Sequence, residues 1–139
     1  KISVKYGLAK FYLIDMAMKG EKMPINLFVK KYKNNSYFRD VVKSINLARR
    51  LKHKPHNYAV SKLGISCRYP GTFISSIHAI IKSTSYQNAI LSTIRAGGCN
   101  CSRSNFIGAY FAALRGRSNI PAKWISKCKY SSKILNVIN

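Results

Sequence analysis

Apolar residues recur at mixed three- and four-residue spacings along almost the whole chain, the period of helices that bury one side. Leu8 to Met18 reads as one amphipathic helix, stopped by Gly20. Pro24 suits the first turn of a second, short helix carrying Ile25, Leu27, Phe28 and Val29. After the turn signal Asn34-Asn35-Ser36, a third helix is predicted from Tyr37 to Leu51, with Phe38, Val41, Val42, Ile45 and Ala48 as its apolar positions. His53 to Tyr58 is basic, contains Pro55, and reads as a connection.

The second half is richer in small residues. A helix is predicted from Thr72 to Ser83, after Pro70-Gly71. Ser85 can cap the next, from Tyr86 to Arg95, which Gly97-Gly98 closes. Ser102 or Ser104 starts another, running through Phe106, Ile107, Ala109, Tyr110, Ala113 and Leu114 to Gly116. Pro121 opens a short helix whose Trp124 is expected to anchor in the core, and a last helix is predicted from Ser131 to Ile138. No segment alternates as a strand would. The pattern predicts an all-α, compact multi-helix domain over residues 1–139, with short loops.

Charge changes this picture most. The chain holds 25 Lys and Arg against 3 Asp and Glu, a formal charge of +22. No acidic residue follows Asp40. Oxygen-ligand metal sites, glycosidase-type carboxylate pairs and Asp-oriented triads all need acids that are not there. Apolar residues make up 47%, with nine Tyr and six Phe, so the chain is not a disordered polycation. Residues 1–62 form the more basic half, with 15 of the 25 basic residues, against a less basic half at 63–139. Lys30, Lys31 and Lys33, then Arg49, Arg50, Lys52 and Lys54, make two dense clusters. Solvated helix faces are the bland explanation, but acids that normally intersperse are missing, so phosphate contact is expected. Tyr32, Tyr37, His53, His56 and Tyr58 lie among them, available either to stack on bases or to pack internally. Arg103, Arg115 and Arg117 join the expected contact set; Arg103 lies beside a glycine pair at a helix N-terminus, where an anion is favoured.

Cysteines at 67, 99, 101 and 128 give one C-x-C and no C-x-x-C, unlike common zinc patterns. Free, reduced thiols are expected, which points to an intracellular compartment, and no metal or other cofactor is expected. A nucleophilic Cys99 of lowered pKa, beside Arg95 and Arg103, is not expected, because no catalytic base can be read beside it. No apolar run approaches the ~18–20 residues of a membrane span.

One ordered set of motifs stands out: Ala96-Gly97-Gly98-Cys99-Asn100-Cys101-Ser102-Arg103-Ser104, then Phe106-Ile107-Gly108-Ala109, Ile120-Pro121 and Trp124-Ile125, preceded by Tyr69-Pro70-Gly71-Thr72-Phe73. Over residues 60–128 it resembles the C-terminal part of the ADP-ribosylglycohydrolase family, in particular its J-crystallin-like branch. The resemblance implies part of an all-α fold whose active members hold a pair of magnesium ions on carboxylates. In the Gly-Gly-Asp-Thr-Asp-Thr form of the family motif the aspartates match Cys99 and Cys101, and the threonines match Asn100 and Ser102. Gly97, Gly98 and Ser102 are kept in kind. The family's N-terminal acidic metal motif has no counterpart here.

Charge and lost carboxylates together suggest a non-catalytic, RNA-binding structural subunit of a large ribonucleoprotein, with a mitochondrial ribosome favoured over a cytoplasmic particle. Its partners would be ribosomal RNA and neighbouring proteins of the particle. RNA, those proteins or a second chain completing the fold would each serve to cover the missing half of the fold's surface. The alternatives are half of a split ADP-ribosyl hydrolase, a crystallin-like structural protein, or a protein bound to an anionic membrane surface.

Overall fold

A computed structural model describes residues 1–138, and among these every regular element is helical. In chain order the α-helices are α1 (Ile2–Met18), α2 (Pro24–Tyr32), α3 (Arg39–Arg50), α4 (His56–Leu63), α5 (Gly71–Lys82), α6 (Tyr86–Arg95), α7 (Asn100–Arg115), α8 (Ala122–Ser126) and α9 (Ser131–Ile138). A 3₁₀ turn at Arg117–Asn119 separates α7 from α8. None of these helices is long and apolar enough to cross a membrane.

The middle of the fold is α5. Its residues from Gly71 to Ile80 are all buried, because α3, α4, α6 and α7 pack around it. A helix covered on every side must also satisfy the polar groups it buries. Its two serines satisfy themselves: Ser75 and Ser76 donate to the carbonyls of Gly71 and Thr72 at 2.8 and 2.7 Å. Helix α1 lies across α7 and reaches α2 and α3. One continuous apolar cluster runs from Tyr6, Leu13 and Phe28 through Ile45, Phe73 and Ile77 to Phe106, Ile107 and Phe111.

Several expectations need adjusting. Helix α1 begins six residues earlier than predicted, at Ile2. The segment from His53 to Tyr58 is not wholly a connection, because α4 starts at His56 directly after Pro55, which sits at the N-cap. Helix α7 starts at Asn100 with Cys99 as its N-cap, ahead of Ser102 and Ser104. Tyr32 is not a free stacking platform: its ring packs 4.6 and 4.7 Å from those of Phe28 and Phe38. Trp124 is half-buried, edge-on to Tyr86 at 6.0 Å between centroids.

Candidate functional site

The entry to α7 is built by close backbone approach. Gly97 and Gly98 adopt φ of +74° and +67°, the left-handed region that glycine tolerates without strain. A Cβ at Gly98 would also collide with the carbonyl of Ile65. That carbonyl accepts a 2.7 Å hydrogen bond from the Cys99 amide, fastening the connection between α4 and α5 to the start of α7.

At this corner the Cys99 thiol is half-buried, its sulfur 3.1 Å from Ser102 Oγ. Hydrogen bonds from Ser102 hold its pKa below the ordinary thiol range, with lesser help from the Cys67 thiol and the Arg103 charge. All four cysteines are free; Cys67, Cys101 and Cys128 are exposed.

Arg103 is the largest fully buried side chain. It is therefore not a phosphate contact, contrary to the reading from its sequence position. Its guanidinium faces inward because the protein supplies the acceptors. Nε donates to Thr93 Oγ1 at 2.9 Å, and Nη2 reaches Asn100 Oδ1 at 2.9 Å, the Thr93 carbonyl at 3.3 Å and the Gly97 carbonyl. Nη1 has no partner.

From Thr93 the polar chain continues through two buried histidines. Thr93 Oγ1 lies 3.3 Å from His56 Nε2, His56 Nδ1 lies 3.0 Å from His78 Nδ1, and His78 Nε2 lies 2.9 Å from the Leu51 carbonyl. The end groups set every proton. A carbonyl only accepts and the Arg103 Nε only donates. His78 therefore carries its hydrogen on Nε2, His56 donates from Nδ1, and the Thr93 hydroxyl donates to His56 Nε2. Every link is satisfied with both rings neutral. Burial, then repulsion by His78, Arg103 and Lys82, pushes the His56 pKa down to about 4. Burial also lowers that of His78, opposed by its bond to Leu51. Sequence reasoning missed this network. Thr93 carries no motif, and the histidines, 22 residues apart, meet only because α4 packs on α5.

The remaining predicted cations are dispersed. Lys30 and Lys31 end α2 and Lys33 follows it; all three are exposed. Arg49 and Arg50 end α3, and Lys52 and Lys54 follow. Arg115 ends α7, and Arg117 lies in the 3₁₀ turn. Arg49, Lys52 and Arg115 do meet, with Lys22, around a cleft of about 350 Å³ floored by Ile25, Ile80, Tyr110 and Phe111. Lys54 instead lies over the Tyr58 ring at 5.7 Å.

A sequence model of the family described as ADP-ribosylglycohydrolase matches residues 3–139. The chain belongs to the ADP-ribosylglycohydrolase family. Membership therefore extends well beyond residues 60–128 and takes in the basic N-terminal helices. Crystallin J1A of Tripedalia cystophora is 39% identical over 80 residues, covering 58% of this chain and 25% of that protein. Crystallin J1B of the same organism is 32% identical over 87 residues, covering 58% and 27%. The chain thus spans about a quarter of the length of these relatives. No solved structure matches it.

These similarities overturn the ribonucleoprotein expectation. The matches are to a hydrolase family and to crystallins, and nothing among them supports a ribosomal or RNA-binding role. Net charge governs solubility and non-specific association, and by itself it names no partner.

Proposed function

We propose that this chain is a helical segment of an ADP-ribosylglycohydrolase-fold protein that does not hydrolyse ADP-ribose bonds and serves as a crystallin-like structural body. The observation that carries this reading is the donor set at the α7 entry. A hard dication such as magnesium takes oxygen ligands in near-octahedral geometry. The positions matched to family aspartates hold the thiols of Cys99 and Cys101. Between them, Asn100 gives its Oδ1 to Arg103, so a guanidinium nitrogen lies 2.9 Å from that oxygen. Soft sulfurs beside a fixed cation do not fit magnesium. The chain's carboxylates lie elsewhere: Asp15 and Asp40 pair with Lys19 and Lys5 at 2.8 and 3.0 Å, and Glu21 lies between α1 and α2. Behind the corner, the links from Thr93 through His56 and His78 to the Leu51 carbonyl are all satisfied internally, which suits a framework better than a reacting centre.

The test uses the full protein and an ADP-ribosylated peptide, with and without magnesium. No release of ADP-ribose above background is expected, and calorimetric titration with magnesium chloride should show no saturable heat. Magnesium-dependent release, or saturable binding abolished by Asn100→Ala, would overturn the reading.

A further inference from the structure

We propose that Cys67 and Cys99 form a redox-active thiol pair, in which hydrogen peroxide oxidises Cys99 and Cys67 resolves it as a disulfide. The closed bridge joins the connection between α4 and α5 to the N-cap residue of α7.

Three independent features converge on Cys99. It caps a 16-residue helix, so the amide groups and dipole of α7 favour a negative sulfur. Ser102 Oγ, 3.1 Å away, donates to that sulfur once it is ionised. Arg103 supplies the third. A buried guanidinium without a counter-charge is costly. Arg103 is fully buried, all its partners are neutral, and its Nη1 has none. Cys99 is the group whose charge acts favourably on it. Ionised, the thiol gives Arg103 the anion that the carboxylates of this chain do not provide.

Cys67 is held where a resolving thiol is needed. The Cys99 amide bonds to the Ile65 carbonyl at 2.7 Å, two residues before Cys67, and Gly98 leaves no space between the two backbones. The Cys67 side chain is one of the groups that lower the pKa of the Cys99 thiol. With the backbones in contact two residues away, side-chain rotation and local movement of the connection bring the sulfurs to the ~2.05 Å bond. Access is open, since Cys67 is exposed and Cys99 only half-covered. Cys101 is exposed two residues further on, within α7, and Cys128 follows α8 far along the chain.

The chemistry balances. The Cys99 thiolate attacks one oxygen of the peroxide, the O–O bond breaks, and sulfenic acid and hydroxide result. Cys67 sulfur then attacks the sulfenic sulfur and displaces hydroxide. That hydroxide takes up the Cys67 thiol proton and leaves as water. Two electrons pass from the sulfurs to the peroxide, and with the first hydroxide protonated the products are a disulfide and two waters. A dithiol reductant reverses the bridge.

The full protein, folded and reduced, is treated with hydrogen peroxide, alkylated, digested without reduction and mapped by mass spectrometry. The expected result is a Cys67–Cys99 cross-linked peptide, reversed by dithiothreitol, with loss of two of the chain's four free thiols. Cys101→Ser should keep the cross-link. Cys67→Ser, an exposed and conservative change, should abolish it and leave Cys99 trapped by dimedone as sulfenic acid. A Cys99–Cys101 bridge in the unaltered protein would overturn the proposal. So would a Cys99 that remains fully alkylatable after peroxide, or a dimedone adduct that falls on Cys128.

Discussion

Thr93 shows how a residue without any sequence signature comes to organise a site. Its one hydroxyl accepts from Arg103 and donates to His56, so it sets the direction of the whole buried chain down to the Leu51 carbonyl. Protonating either histidine adds a donor where the chain already has one, next to Arg103 and with Lys82 adding repulsion. The folded protein therefore resists protons that the unfolded chain binds from about pH 6.5 downward. Stability is complete above that value and falls as the pH drops toward about 4, the depressed pKa of His56. A depression of that size corresponds to a loss on the order of 3 kcal/mol. Asp40, held below its usual carboxylate range by Lys5, acts in a separate window below its ordinary value of 3.8. Denaturant titrations at pH 7.5, 5.5 and 4.5 should thus show a steady decline. A His56→Gln, His78→Gln double variant should be less stable at pH 7.5 yet nearly flat over the same range. A flat profile in the unaltered protein would mean that the histidines are not held neutral.

At the scale of elements, one tight constraint is the crossing of α4 and α5. A Cβ at Gly64 would lie 2.5 Å from the Gly71 Cα, and one at Gly71 would strike the Leu63 carbonyl, so both glycines are required by backbone contact. Gly7, exposed within α1, has nothing within 4 Å of its absent Cβ. Gly7→Ala should stabilise by roughly 0.5–1 kcal/mol, the ordinary cost of a mid-helix glycine, whereas Gly64→Ala should destabilise by about 2 kcal/mol or more. Urea midpoints of the two variants measure this, and equal effects would refute the crossing. What could be read in the sequence follows the same division. Helix α6 was legible to the residue, because Ser85 is a local cap whose side chain accepts from the Asn88 amide. The glycine pair and the residues after it were legible as a motif because they are contiguous. The start of α1 was not, since Ile2 and Val4 are exposed apolar residues that break the periodic pattern. Helix α4 was hidden by Pro55, which reads as a breaker but stands at the helix entrance. The inward turn of Arg103 was illegible because its acceptors come from α6 and the glycine turn, and only packing brings them to it.

For the whole molecule, the formal charge of +22 is a property of the folded body itself and needs no ligand to have consequences. Among the described residues only two ion pairs form, Lys5 with Asp40 and Lys19 with Asp15, both partly exposed. Pairs of that kind contribute little. The dominant long-range term is repulsion among cations brought closer together by folding, and it opposes the compact state. Salt screens such interactions over about 10 Å at 0.1 M, far more effectively than it weakens the buried contacts of Arg103. Raising sodium chloride from 20 to 500 mM should therefore raise the melting temperature. At this chain length each kcal/mol of relief moves the midpoint by roughly 4 °C. Sodium sulfate matched in ionic strength separates screening from anion binding: equal shifts indicate screening, and a larger sulfate shift indicates sulfate's added effect through surface exclusion or binding. A melting temperature that falls with sodium chloride would mean that favourable ion pairs outweigh the repulsion, which two exposed pairs in a body with 25 basic residues do not allow.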